Sequence, residues 1–170
     1  MLYFIYTEAC SARAERTVHH RAYMVAFLLP FGMRAVIDTN VFVGACIGAG
    51  ACNAVIRACL AGNVVPVMGA TLMAELDDVL GRHALFANSA LTPQERSTLL
   101  DIFLARCEWT RVYYLWRPNL RDEGDNHLIE LAVAAGADLI ISRNVRDLRS
   151  GQLPFAGLQI MTPEAFLKEI

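Results

Sequence analysis

The sequence predicts one α/β domain, three layers deep, with a central and mostly parallel sheet. Three observations carry this. Short apolar runs alternate with stretches of helical periodicity from residue 34 onward, and a helix between successive strands is the connection a parallel sheet requires. The apolar runs are near-continuous rather than alternating, as expected for strands covered on both faces. The chain has 170 residues, 55% hydrophobic and 19% charged, enough to bury one substantial core.

The elements follow in order. Arg34-Ala35-Val36-Ile37 reads as a buried strand that releases Asp38, Thr39 and Asn40 onto a rim at its C-terminal end. A turn rich in glycine (Gly44, Gly48, Gly50) leads to a helix over residues 51–61, with Val55, Ile56, Cys59 and Leu60 as its apolar stripe and Gly62 as its stop. Residues 64–68 form the next strand. Thr71 is placed to cap a helix over 72–82, which puts Glu75 within about its first turn. Thr92-Pro93-Gln94-Glu95 is a capping box with proline at the first helical position, opening a helix to about Arg106. A short strand is expected around 110–114, then a polar connection over 117–124. A helix follows from Asp125 or Asn126 to Ala135, capped by Asp125 and ended by Gly136. Residues 137–142 form a strand, 143–151 a basic loop, 158–161 a last strand, and Thr162-Pro163 opens a terminal helix.

The net charge of −2 and pI near 6.1 give no global basic field, so any nucleic acid must be held by local arginines or through metal ions. Lys168 is the only lysine. Cys10, Cys46, Cys52, Cys59 and Cys107 are odd in number and form no C-x-x-C pair, and they read as small apolar residues of a reducing, cytoplasmic protein. His19, His20, His83 and His127 have no metal-ligand spacing with them. Before Met33, the basic residues Arg13, Arg16 and Arg21 precede an apolar run over 22–31 that contains Pro30. That run is short of the ~20 residues that span a bilayer and has no small-residue cleavage pair. Residues 1–32 are therefore expected to be a non-native or disordered extension, with Met33 as the translation start of a domain over 33–170 and no membrane association.

Ligands of open parallel sheets bind outside the carboxyl ends of the strands, so the acids placed there are the candidate site. Asp38 ends the first strand, Glu75 starts the helix after the second, Asp125 opens the helix before the strand at 137–142, and Asn144 follows that strand. Carboxylates gathered on one rim repel unless a hard cation such as Mg²⁺ or Mn²⁺ neutralises them, and such a site suits phosphodiester hydrolysis. Each acid also has a structural role open to it: a strand-end turn for Asp38, helix-dipole compensation for Glu75, capping for Asp125.

The runs Val36-Ile37-Asp38-Thr39-Asn40-Val41-Phe42, Asp122-Glu123-Gly124-Asp125-Asn126 and Ile140-Ile141-Ser142-Arg143-Asn144, with the Glu75 helix, resemble the PIN-domain family. The similarity runs from Met33 to the end, closest to the VapC-like toxins of bacterial toxin-antitoxin systems. The resemblance implies a PIN-like fold and a metal-dependent endoribonuclease acting on single-stranded RNA. It implies Asp38, Glu75 and Asp125 as catalytic and metal-binding acids, Asn144 as a further metal ligand, and Thr39, Asn40 and Ser142 as supporting groups. It also implies an antitoxin partner and a homodimer. Asn144 departs from the pattern, standing where many such domains carry a fourth acid; this weakens a second metal position, for which Asp147 is the candidate substitute, while Asp122, in a solvated acidic turn, is a backup candidate for the site. Arg143 and Arg146 are candidate RNA contacts; Tyr113, Tyr114 and Trp116 are candidates for stacking on bases or for the core, and aromatics beside a short strand are more often core. A dinucleotide site fails on glycine spacing, and a haloacid-dehalogenase-like phosphatase fails because Asn40 stands where its second aspartate is needed. The rival that survives is a catalytically weak PIN-like module that binds RNA or protein.

Overall fold

The structure, a computed structural model, describes residues 32–48, 50–117, 119–153 and 155–170; the expectation for residues 1–32 lies, Gly32 apart, outside the described residues. β1 (Arg34–Ile37) leads into α1 (Thr39–Ile47) and α2 (Ala51–Ala61), then β2 (Val65–Met68), α3 (Ala70–Leu80), a 3-10 turn (His83–Phe86) and α4 (Pro93–Leu104). Next come β3 (Glu108–Trp109), a second 3-10 turn (Glu123–Asp125), α5 (Asn126–Ala135), β4 (Leu139–Ile141), α6 (Val145–Leu148), β5 (Gln159–Met161) and α7 (Pro163–Phe166).

All strand pairs are parallel, in the order β3-β2-β1-β4-β5. The expected three-layer α/β architecture is therefore present. The chain builds outward from β1 to β3, then returns through α5 to lay β4 on the other side of β1. This reversal between β1 and β4 opens a crevice at their carboxyl ends. Ala35, Val36 and Ile140 are fully buried, as their position in the middle of the sheet demands. Pro66 fits inside β2 because Val65 N–H turns toward Met33 on the β1 side. Position 66 therefore faces the β3 side, where pairing begins only at Val67.

Around the sheet, α1 packs on α2 and α3, α2 on α4 and α7, and α5 on β1, β2 and β4. Phe42 and Phe103 stack at 5.3 Å between centroids and join α1 to α4. Buried Arg96 lies 4.2 Å over the Phe86 ring and donates to the Leu91 carbonyl at 3.0 Å, which satisfies a charge the core would otherwise exclude. The Thr92–Glu95 capping box is formed in both directions, and Gly136 ends α5 in the left-handed region at φ 59°. Cys46 and Cys59 are buried; burial pushes their thiols up to about 11 and about 12. Among the described residues no single helix is long and apolar enough to cross a membrane.

Four local expectations are corrected. Residues 39–47 are helical rather than a rim and turn, because Asp38 caps them directly. The third strand is Glu108–Trp109, and residues 110–114 carry no regular structure. Residues 145–148 of the basic loop form the short helix α6. Tyr113, Tyr114 and Trp116 are 76%, 78% and 41% exposed, so they are not core residues: β3 ends before reaching them.

Candidate active site

Asp38 follows β1 in extended conformation and serves as the N-cap of α1, its Oδ1 accepting from Asn40 N at 3.1 Å. Its Oδ2 accepts from Asn40 Nδ2 at 2.7 Å and from Ser142 Oγ at 2.5 Å. Asn40 Oδ1 in turn accepts from Arg143 N, and Ser142 Oγ accepts from Asn144 N at 2.8 Å. The polar residues after β1 thus stitch that strand's end to the end of β4, and Asp38 has a fixed orientation at 6% exposure. Burial pushes its carboxyl up, the bonds from Ser142 and Asn40 pull it back, and the charges of Glu75 and Asp125 push it up again, for a net rise.

The cap of α3 is Gly69, and the helix starts at Ala70 rather than after Thr71. A Cβ at position 69 would stand 2.9 Å from Leu131 Cδ1, so glycine permits the close approach of α3 to α5. Glu75 consequently sits in the second turn, beyond the reach of most helix-dipole stabilisation, and half-exposed. Its Oε2 lies 3.0 Å from Nε2 of His127, an ionic contact without hydrogen-bond alignment. The other ring nitrogen, Nδ1, lies 2.7 Å from the Gly124 carbonyl, which can only accept. With Nδ1 donating there and Nε2 facing a carboxylate, the doubly protonated ring is the form that suits both neighbours. The contact with His127 holds the Glu75 carboxyl below its ordinary value against the opposing effect of burial. Burial works against a charged imidazole, but Glu75, the Gly124 carbonyl and Asp38 outweigh it, and His127 is shifted up.

Asp125 does not cap α5 with its side chain; it closes the 3-10 turn in right-handed helical conformation, while Asp122 accepts from Gly124 N at 2.9 Å and caps that turn. The Asp125 carboxylate is therefore free to face the crevice, where its Oδ2 accepts from Asn144 Nδ2 at 3.1 Å. Burial raises its carboxyl, as does the charge of Asp122, and the Asn144 bond only partly offsets them.

Asp38, Glu75 and Asp125 line one cleft of about 510 Å³, together with Thr39, Asn40, Arg143 and Asn144. Ser142 stands fully buried behind Asp38. Arg146, Asp147 and Asp122 are not among the lining residues. Among the described residues, no three His, Cys, Asp or Glu side chains converge closely enough to chelate an ion as they stand. The reason is visible in the contacts: Glu75 is drawn to His127 and Asp125 to Asn144. The chemistry of the set nevertheless fits a hard divalent cation, since three carboxylates share a cleft, Asp38 is raised partly by the charges of Glu75 and Asp125, and Asp125 partly by that of Glu75.

Sequence reasoning missed His127. It was judged by local spacing to other histidines and cysteines, whereas its partner Glu75 is on another helix. The available signal was its place two residues after Asp125.

A family model described as PIN domain matches residues 34–146. No curated protein matches the chain. Among solved structures, it is similar to a chain in the crystal structure of VapBC2 from Rickettsia felis bound to a DNA fragment from their promoter. That match has a TM-score of 0.52 and 16% identity, and covers 76% of this chain and 98% of that one. It is also similar to PAE2754 from Pyrobaculum aerophilum, with a TM-score of 0.51 and 13% identity over 84% of this chain and 94% of that one. At such identities these two similarities concern the fold alone. The family model spans the Asp38, Glu75, Asp125 and Asn144 positions, and on that match the chain belongs to the PIN domain family, whose members are generally nucleases.

Proposed function

We propose that this protein is a divalent-metal-dependent endoribonuclease that cuts single-stranded RNA, and that it is the toxin of a toxin-antitoxin pair. The observation that carries the catalytic reading is the meeting of Asp38, Glu75 and Asp125 in one cleft at the β1/β4 crevice. Those three acids would hold Mg²⁺ or Mn²⁺, with the side-chain oxygen of Asn144 as a neutral fourth donor. When bound, the ion supplies acidification of an attacking water and neutralisation of charge on the phosphate. Ser142 and Asn40 keep the Asp38 oxygens aimed, and Thr39, with its hydroxyl buried at the cleft, helps shape the pocket beside Glu75. Arg143, exposed on the cleft lining, offers a cation to the phosphate backbone, with Arg146 on α6 as a more distant one.

The toxin assignment rests on the motif resemblance, and the partners it entails are an antitoxin covering the cleft and a second copy of the chain. The hydrogen bond from Asn144 to Asp125 favours a second reading, a catalytically weak module that binds RNA or protein, because an amide replaces the charge that would hold a second ion.

The test is cleavage of a labelled single-stranded RNA pool by the purified chain in Mg²⁺, Mn²⁺ or EDTA, beside Asp38→Asn. Metal-dependent cutting lost in the variant is the expected result. A folded protein that cuts under none of these conditions overturns the enzyme reading in favour of the binding module.

A further inference from the structure

We infer that the segment from Trp109 to Arg117 is a base-stacking platform, a subsite that grips single-stranded nucleic acid beside the cleavage cleft by aromatic faces. The inference rests on the proposed function for its choice of ligand, and its own basis is independent of the acids. Within eight residues the chain exposes Trp109, Tyr113, Tyr114, Leu115 and Trp116, at 57%, 76%, 78%, 66% and 41%. Soluble proteins seldom leave so many large apolar side chains together in solvent without a ligand for them. Tyr113 and Tyr114 have no hydrogen bond or ring contact among the described residues, so their faces are free.

The segment is held in place rather than loose. Glu130, 2% exposed on α5, accepts from Trp116 N at 3.0 Å and from Arg117 Nε at 3.1 Å. The Trp116 ring packs edge-on against Phe155 at 5.8 Å. A buried carboxylate thus anchors one end of an aromatic strap and leaves the Tyr113 and Tyr114 rings outward.

Two features choose nucleic acid over a protein partner. Arg111 stands between Trp109 and Tyr113 in the chain and lines a cavity of about 440 Å³ with Trp109 and Leu115, so a cation adjoins the rings as a phosphate backbone with stacked bases requires, while Arg117, on the same cavity, is paired with Glu130. Thr71 and His127 line the same cavity, and His127 touches Glu75, so the cavity opens directly beside the acids. A strand whose phosphate lies in the acid cleft needs a place for the neighbouring bases, and this is the adjoining surface with π-faces to offer.

The chain provides its own reporter, since its two tryptophans, Trp109 and Trp116, both lie in the platform. Titration of the full chain in EDTA with a single-stranded RNA 12-mer is expected to quench tryptophan fluorescence saturably. Tyr113→Ala with Tyr114→Ala is expected to weaken binding about tenfold or more, from the usual strength of base stacking. The Phe pair restores affinity because it keeps the rings, and the Leu pair does not. Under cleavage conditions the Ala pair raises KM and spares kcat. Wild-type affinity in the Ala pair, or rescue by Leu as complete as by Phe, overturns the platform even where the RNA is cut. Failure of the oligonucleotide to quench wild type also overturns it and leaves a protein partner as owner of the patch. Quenching that depends on the tyrosines, in a protein that cuts nothing, sustains the platform and fells only the nuclease reading.

Discussion

The two halves of the acidic cleft are built differently. On the β1 side, Asp38 is buried and accepts from Asn40 and Ser142, which themselves bridge to the backbone after β4. On the helix side, Glu75 and Asp125 are part-exposed, and each has one principal side-chain partner, His127 and Asn144 respectively. The first half is a preorganised anchor whose oxygens have nowhere else to go. The second consists of acids whose side chains are borrowed by neighbours and can be released. On the proposed function, such a cleft would separate affinity from geometry: the anchor would fix where a cation sits, and the rim would set how strongly it is held.

The largest effect is expected at the anchor. Asp38→Asn removes the charge of a carboxylate that three hydrogen bonds orient, and cleavage is expected to fall by about a hundredfold or more. Mg²⁺ is expected to raise the Tm of the wild type and not that of this variant. A variant that still cuts at near wild-type rate would place the chemistry elsewhere. Next in size is Ser142→Ala, which leaves a buried carboxylate oxygen and the Asn144 N–H each short of a partner. A loss of ~1–3 kcal/mol in urea denaturation is expected. An unchanged midpoint would mean that the stitch between β1 and β4 bears no strain.

On the rim, Asn144→Asp exchanges a donor to Asp125 for a like charge. The metal-free fold should lose roughly 1 kcal/mol, a fall in Tm of about 2–4 °C for a chain of this size. Mn²⁺ should bind more tightly by calorimetric titration. Weaker Mn²⁺ binding in that variant would exclude position 144 from the metal's surroundings.

The smallest effect is the pH dependence of the metal-free protein. Glu75 is depressed from 4.5, so its contribution is present above that value and fades as pH falls through its folded pKa. His127 is raised from 6.5, so its contribution is complete below 6.5 and is lost as pH rises through its folded pKa. Asp38 and Asp125 are raised from 3.8, so their ionisation costs stability as pH rises through their own folded values. The metal-free Tm should therefore be higher at about pH 5.5 than at about pH 7.5, and Mg²⁺ should narrow the gap by stabilising the ionised acids. Thermal melts of wild type and His127→Leu with EDTA and with Mg²⁺ check this; a Tm that climbs toward pH 7.5 in EDTA contradicts the assignment of charges.

Much of the fold was legible because its signals are local. The Thr92–Glu95 capping box, the glycine after α5 and the near-continuous apolar runs of β1 and β4 act within a few residues of themselves. The acids were legible for a related reason, since a parallel sheet delivers whatever follows its strands to one end. The helix at 39–47 was not, because the Asp38 side chain that starts it was assigned to the rim alone. The aromatic residues at 113–116 were misread because hydrophobicity says nothing about whether an edge strand will extend far enough to cover them.

The alternation of strands and helices, the position of Asp38 at a strand end and the presence of an amide at position 144 are all readable from the chain alone. Only the tertiary structure decided which groups meet. It set His127 against Glu75, turned the Asn144 amide toward Asp125, freed Asp125 from capping, and left the Trp109–Arg117 strap facing solvent. These are contacts between elements far apart in the chain. They depend on how closely helices approach, as Gly69 allows α3 to approach α5, and no local periodicity encodes that distance.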